Sequence, residues 1–188
     1  GDPLEGSSAA EQVFIDGALV FDRNDPEALL WLGYHYAVAG RIPMARALMG
    51  RLQQVDPLTS INLAMYGIVA MCDGDYVEAM RWTQRSVEVD PANPTHRMLH
   101  AQTLAANGRP EEASAILHRV SRDAPTMGWA RLASALGYAL EGNREQVLRV
   151  ITPDLRDAAR WDDVFSWWMA GSFALVGETD AALHAVAR

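Results

Sequence analysis

Glycines recur along this chain with a fixed period, and that period constrains its fold more than any other feature. Their spacings are 34, 34, 34 and 35 residues, and they are Gly40, Gly74, Gly108, Gly142 and Gly177. Two further series keep the same phase. A proline lies 17 residues after each of the first three glycines, and a small residue lies five after four of them. Periods of this length indicate a chain built from repeated supersecondary units.

Each marker has a physical role in a helical unit. The glycines follow apolar, helix-periodic stretches, such as Leu29 to Ala39, where a helix can end in a left-handed residue that glycine adopts at little cost. The small residue, Ala45 or Ala79 for example, allows two antiparallel helices to approach closely. The proline of Asp56-Pro57 disfavours helical geometry in the residue before it. Each unit is therefore predicted to be a helix, a tight turn, a helix and a break.

These residues resemble the tetratricopeptide repeat, above all Leu32-Gly33 with Tyr36 and the segment from Gly74 to Ala79. The resemblance implies an all-α fold, a right-handed α-solenoid of antiparallel helix pairs in which each pair packs on its neighbours. It places repeats near 26–59, 60–93, 94–127, 128–162 and 163–188. Residues 1–25 are expected to be a leader and the second helix of a truncated repeat.

The fourth unit departs from this pattern. Val147 replaces the small residue, Thr152-Pro153 is predicted to break the second helix early, and a longer link precedes the next unit. The segments 136–142 and 174–178 are similar to tetratricopeptide tails of bacterial signalling and regulatory proteins. We therefore expect this chain to be part of a larger bacterial protein of that kind. All sixteen basic residues are arginine, which also suggests a bacterial genome rich in G and C.

Composition excludes several classes of partner. The net charge of −8 argues against nucleic acid and against anionic lipid, because both require clustered positive charge. No apolar run approaches the roughly 20 residues of a membrane span. A cytoplasmic location is expected, and a periplasmic one stays open because a single cysteine does not identify the compartment.

No pattern in the sequence indicates catalysis, a cofactor or a metal. His96 and His100 have the helical spacing of two metal ligands, but no carboxylate or cysteine nearby completes a site, and His100 is expected to pack in the core. Cys72 has no neighbouring cation, so a buried or half-buried inert thiol is expected. Phosphate-binding glycine loops and nucleophile elbows are absent from the sequence. We therefore expect a protein that is not an enzyme.

The resemblance implies a concave groove lined by the second, fifth, ninth, twelfth and thirteenth positions of each first helix. In the last three units these are Thr95, Met98, Gln102, Ala105, Ala106, Trp129, Leu132, Leu136, Ala139, Leu140, Val164, Trp167, Gly171, Ala174 and Leu175. The groove is almost uncharged, which does not suit the carboxylate clamp of chaperone-binding relatives. It favours an apolar or amphipathic protein segment. The predicted contacts are Leu30, Tyr34, Ile61, Ile68, Met98, Trp129, Leu132 and Trp167.

The sequence therefore predicts a non-catalytic scaffold for protein–protein interaction. A protein or peptide partner is expected, because an exposed apolar groove of this extent is usually covered. Three alternatives stay open: a homodimerisation module without an external ligand, a groove filled by other parts of the same chain, and the regulatory arm of an enzyme encoded in that chain.

Overall fold

A computed structural model describes residues 24–123 and 125–187. These residues form helices and no strand. The eleven helices found there are α1 (Pro26–Val38), α2 (Ile42–Val55), α3 (Ser60–Asp73), α4 (Tyr76–Val89), α5 (Pro94–Ala106), α6 (Pro110–Asp123), α7 (Gly128–Leu140), α8 (Arg144–Val150), α9 (Pro153–Ala159), α10 (Asp163–Leu175) and α11 (Thr179–Val186). The predicted all-α class is confirmed.

The turns between paired helices follow the glycine series. Gly40, Gly74, Gly108, Gly142 and Gly177 have φ values of 76°, 83°, 74°, 71° and 80°, and in the described residues no other residue type has positive φ. Each of these glycines is therefore confirmed as the left-handed residue at which a helix ends. After two of these turns, those at Gly74 and Gly142, the next helix begins with a side-chain cap. Asp75 Oδ1 and Asn143 Oδ1 accept hydrogen bonds from the backbone N–H groups of Glu78 and Gln146, at 2.9 and 3.2 Å.

The chain divides into two compact units, Gly1–Pro91 and Ala92–Arg188. In the first unit α1 packs on α2, α3 packs on α4, and α1 contacts α3. Leu29, Leu52 and Leu63 lie in its core. Ala45 and Ala79, the small residues after the first two turns, are fully buried, as close helix packing requires.

In the second unit the long helices α5, α7 and α10 contact one another in succession. The helices α6, α8 and α11 each follow one of them across a glycine turn and pack against it. The division into repeats at the expected boundaries stays a prediction. Of the expected leader and truncated repeat, residues 1–23 lie outside the described residues.

The predicted early break in the fourth unit is present, but the link that follows it is partly helical. Helix α8 ends at Val150, and Pro153 begins the short helix α9. Arg131 of α7 fixes this bend by donating hydrogen bonds to the Val150 carbonyl at 3.2 Å and to Asp154 Oδ2 at 2.7 Å. Ser166 Oγ of α10 donates to the carbonyl of Ala159 at 2.6 Å and holds the other end of α9.

The contact between Arg131 and Asp154 predicts a pH-dependent contribution to stability. The hydrogen bonds from Arg131 and from the Thr152 hydroxyl lower the pKa of Asp154 from 3.8 to about 2. The carboxylate therefore stabilises the fold above pH 3.8, and this contribution is lost as the pH falls through 2. Asp154→Asn should lower the urea midpoint slightly at pH 6, with a difference from wild type that shrinks at acidic pH.

The matched control for this variant is Asp157→Asn on the same helix. The Asp157 carboxylate makes an exposed contact with Arg160, at 3.7 Å, and should contribute nothing measurable. Urea titrations followed by circular dichroism at pH 6 and pH 3 would make the comparison. Equal midpoints for Asp154→Asn and wild type at pH 6 would contradict a stabilising role for the Arg131 contact.

Candidate functional site

An apolar groove runs along the first helices of the second unit. It encloses about 540 Å³ and its nine lining residues include no charged side chain. Helices α5, α7 and α10 supply them: Gln102, Ala105, Ala106, Leu136, Leu140, Trp167, Gly171, Ala174 and Leu175. All nine occupy positions that the sequence analysis assigns to the inner face. We call this surface the apolar groove.

Trp167 is the predicted contact that lines the apolar groove, where 42% of its surface is exposed. Leu136, Leu140 and Leu175 also line it but are not among the eight predicted contacts. The repeat register already contained the signal for them, because they lie at the ninth and thirteenth positions of their helices. The indole of Trp167 and the three leucines give the groove large aromatic and aliphatic surfaces. The alanines and the glycine beside them contribute small surfaces.

Three of the predicted contacts are placed differently. Leu30, Met98 and Leu132 are buried among the helices of their own units, with 5%, 0% and 0% of their surfaces exposed. A partner could not reach Met98 or Leu132 without displacing neighbouring side chains. All three lie at the fifth position of their units, where an adjacent helix covers the side chain, whereas Trp167 at the same position of α10 stays exposed. These three residues therefore belong to the core.

The remaining predicted contacts have mixed exposure. In the first unit, Tyr34 and Ile68 are half-buried and pack against the core, while Ile61 is exposed at the start of α3. The ring of Tyr34 meets the ring of Trp31 edge to face, with 6.2 Å between centroids. Trp129, in the second unit, is half-buried at the start of α7 and does not line the apolar groove. Binding by these four residues stays a prediction.

Gln102 is the only polar side chain that lines the apolar groove in the described part of the chain. Its Oε1 atom is buried and has no hydrogen-bond partner among the described residues. A buried acceptor in this state is unfavourable by about 1–3 kcal/mol. An N–H or O–H group of a bound segment would satisfy it, so Gln102 can orient a ligand in a groove that is otherwise apolar.

Two polar residues singled out in the sequence differ from expectation. His96 is fully buried, whereas His100, expected in the core, is half-buried. Cys72 is exposed, because it lies in the last turn of α3 on the side away from the core, so the expectation of a buried or half-buried thiol was wrong. Its sulfur is still shielded enough for burial to raise the pKa of the Cys72 thiol. The thiol is therefore protonated and a poor nucleophile at neutral pH.

One polar cluster of the second unit contains a hydroxyl, an imidazole and a carboxylate. Glu141 Oε1 accepts hydrogen bonds from the Ser114 hydroxyl and from His118 Nε2, the latter at 2.8 Å. These bonds, the one from Ser114 most of all, lower the pKa of Glu141. The Ser114 hydroxyl donates to the carboxylate and not to the histidine. The cluster thus lacks the hydroxyl–imidazole contact of an activated nucleophile and joins α6 to the end of α7.

The helix pairs and the apolar groove define a helical-repeat protein of the kind that binds other proteins. Two family models described as tetratricopeptide repeat match the sequence, over residues 26–51 and 70–137, together half of the chain. The chain belongs to the tetratricopeptide repeat family. Members of this family are in general scaffolds that bind protein partners, and the predicted resemblance to the tetratricopeptide repeat is confirmed.

Solved structures support the same fold. TTC0263 of Thermus thermophilus, a thermophilic tetratricopeptide protein, is 21% identical, with a TM-score of 0.63 over 86% of this chain and 88% of that one. PilF of Pseudomonas aeruginosa is 18% identical, with a TM-score of 0.59 over 91% and 74%. YrrB, a tetratricopeptide protein with an unusual peptide-binding site, is 15% identical, with a TM-score of 0.54 over 91% of each chain. These likenesses confirm the α-solenoid class.

None of the curated proteins compared with this chain matches it. Of the helices described here, none is long and apolar enough to cross a membrane.

Proposed function

We propose that this chain is a non-catalytic scaffold that binds an apolar or amphipathic segment of another protein in the apolar groove. The observation that carries the proposal is the lining of that groove, which combines about 540 Å³ of open space with no charged side chain. Burying an apolar side chain there is favourable by about 25 cal/mol for each Å² removed from water. A charged segment would instead lose its hydration without gaining a partner.

The shape of the lining favours a segment with one apolar face. Ala105, Ala106, Gly171 and Ala174 project little from their helices, so the backbone of a bound segment can approach closely. Trp167 and the groove leucines supply larger apolar surfaces beside them. Gln102 supplies one acceptor for an N–H group. An amphipathic helix or an extended apolar strand satisfies this combination, and its polar side would remain in water.

The relatives agree with this role. YrrB is described as having a peptide-binding site, which supports the binding of a peptide-like segment. We further propose a place in the cytoplasm, within a larger signalling or regulatory protein, on the resemblance of segments 136–142 and 174–178 to tetratricopeptide tails of that class.

Substitution of the groove tryptophan tests the proposal. The probe is a fluorescein-labelled, 18-residue peptide of zero net charge, with leucine and phenylalanine on one helical face and alternating lysine and glutamate on the other. We expect Trp167→Glu to weaken binding of this probe at least tenfold, because it places an unpaired carboxylate in a groove without cations. Fluorescence polarisation measures the affinity.

The matched control is Trp161→Glu, which makes the same chemical change at a tryptophan that is 91% exposed and outside the groove. It should leave probe affinity unchanged, and a scrambled probe of equal composition should bind weakly to every variant. Equal weakening by both substitutions, or equal affinity for both probes, would overturn the groove assignment. Ile68→Glu and Trp129→Glu extend the test to the other predicted contacts.

The homodimer alternative has its own measurement. Light scattering over a hundredfold dilution series gives the mass of the full chain and of the Trp167→Glu variant. A stable dimer that this substitution splits would show that a second copy occupies the apolar groove. A monomer at every concentration leaves the groove available to a different protein.

A further inference from the structure

A second cavity in the second unit lies between α9 and α11, with α10 at its base. It is separate from the apolar groove. It encloses about 560 Å³. Met169 and Phe173 of α10 form its apolar floor, and Arg156, Arg160 and His184 contribute basic groups to its lining. We call it the α9–α11 cleft. None of its lining residues is shared with the apolar groove.

The first unit contains a corresponding cleft between α2 and α4, and that cleft is much smaller. It encloses about 120 Å³. Trp82 lies in it, with its ring 4.9 Å from the ring of Tyr66 between centroids. Glu78 pairs with the guanidinium of Arg46 at 2.9 Å. In that cleft the large indole fills the space and the carboxylate neutralises the cation.

The 34-residue register shows why the α9–α11 cleft is open. Glu78 and Trp82 lie four and eight residues after Gly74, and the residues four and eight after Gly177 are Ala181 and Ala185. Both alanines line the α9–α11 cleft. The second unit therefore lacks the indole and the carboxylate at the two positions that close the cleft in the first unit.

The charge of the cleft is positive although the chain as a whole carries −8. The guanidinium of Arg156 lies over the ring of Phe173, 5.1 Å from its centroid. Within the described part of the chain, no carboxylate pairs with Arg156. Asp157 is the only acidic residue that lines the cleft there, and it contacts Arg160 only loosely, at 3.7 Å.

From this geometry we propose that the α9–α11 cleft binds an amphipathic anion, an apolar group that bears a carboxylate. The apolar part occupies the space that Trp82 fills in the first unit, against Met169 and Phe173. The carboxylate accepts hydrogen bonds from Arg156, whose planar guanidinium suits bidentate contact with a carboxylate. The volume lies within the range of about 300–1,000 Å³ that is typical of small-ligand sites.

The test uses the full chain and 3-phenylpropionate, with 3-phenylpropanamide as its uncharged counterpart. We expect the carboxylate to bind about tenfold more tightly than the amide in NMR titrations, because it makes a charge-assisted hydrogen bond. Arg156→Gln should abolish this preference, and Arg156→Lys should retain part of it. Arg119→Gln, at an exposed arginine outside the cleft, should leave the preference intact.

A second variant tests the space and not the charge. Ala185→Trp restores a large ring at the position of Trp82 and should prevent binding of both probes. Leu183→Trp, at an exposed position of the same helix outside the cleft, should not. Circular dichroism establishes whether each variant is folded. If Ala185→Trp does not fold, the Arg156→Gln comparison alone tests the proposed site. Equal affinity for acid and amide in the wild type would overturn the proposal, as would unchanged binding by folded Ala185→Trp.

N-acetylphenylalanine as a third probe distinguishes two sources of the same chemistry. It carries the carboxylate on a peptide-like group, as the terminus of a protein does. Tighter binding than 3-phenylpropionate would identify a protein terminus as the ligand, and weaker binding would identify a free organic acid. The experiment is independent of the apolar groove, since Trp167→Glu should leave the affinity for all three probes unchanged.

Discussion

Replacement of Trp168 by alanine is expected to lower the free energy of unfolding by about 3–5 kcal/mol. Trp168 has 1% of its surface exposed and is among the largest fully buried side chains of the described chain. It belongs to α10, which contacts both α7 and α11. Removal of the indole would leave a cavity in the buried interior beside α10, and the contacts of the indole with its neighbours would be lost.

Urea titration followed by circular dichroism would measure this loss, with two control variants. Trp161→Ala removes a tryptophan that is 91% exposed and should change stability by less than about 0.5 kcal/mol. Trp168→Phe should cost far less than Trp168→Ala. It keeps one ring in place and removes an indole N–H that is buried without a hydrogen-bond partner among the described residues. Equal effects of Trp168→Ala and Trp161→Ala would contradict the central position of α10.

The turns of this fold could be predicted because each depends on one local property. A helix that must reverse direction within two or three residues needs a left-handed residue, and glycine is the residue that adopts this conformation without strain. The spacing of glycines therefore identified the turns before any tertiary contact was known, and the φ values of 76° at Gly40 and 80° at Gly177 confirm them.

The exposure of individual side chains was harder to predict, because it depends on neighbours distant in sequence. Register placed both Met98 and Trp167 on the inner face, yet Met98 is fully buried and Trp167 is 42% exposed. The position in a helix fixes the direction of a side chain. Whether that direction ends in solvent depends on the adjacent helix, whose distance is set by residues of other repeats.

The short helix α9 was missed for a related reason. The proline after Thr152 predicts the end of one helix, and proline is equally compatible with the first turn of the next. A helix of seven residues carries too little periodicity to separate these outcomes. The hydrogen bonds from Arg131 and from Ser166 to Ala159 are tertiary contacts. They stabilise residues 153–159 as a separate short helix. The α9–α11 cleft depends on this helix for one wall, and the sequence register accounts only for the alanines, Ala181 and Ala185, on the opposite wall.

Close packing of α3 on α4 leaves no room for an added side chain at Gly67. A Cβ atom at Gly67 would lie 2.5 Å from Thr83 Cγ2 and 3.3 Å from the carbonyl oxygen of Ala79, both on α4. Thr83 cannot simply rotate away, because its hydroxyl donates a hydrogen bond to that same carbonyl at 3.0 Å. The two helices would have to separate.

We therefore expect Gly67→Val to lower the free energy of unfolding by about 1–3 kcal/mol, the usual cost of overpacking a buried contact. Gly50→Val is the matched control, because a Cβ atom at Gly50 of α2 would meet nothing within 4 Å. Valine also favours a helix by roughly half a kcal/mol more than glycine does, so Gly50→Val should be neutral or slightly stabilising. Opposite shifts of the urea midpoint would establish that contact with α4, and not helix propensity, requires glycine at position 67. Shifts of the same sign and size would show that the α3–α4 contact is looser than its geometry implies.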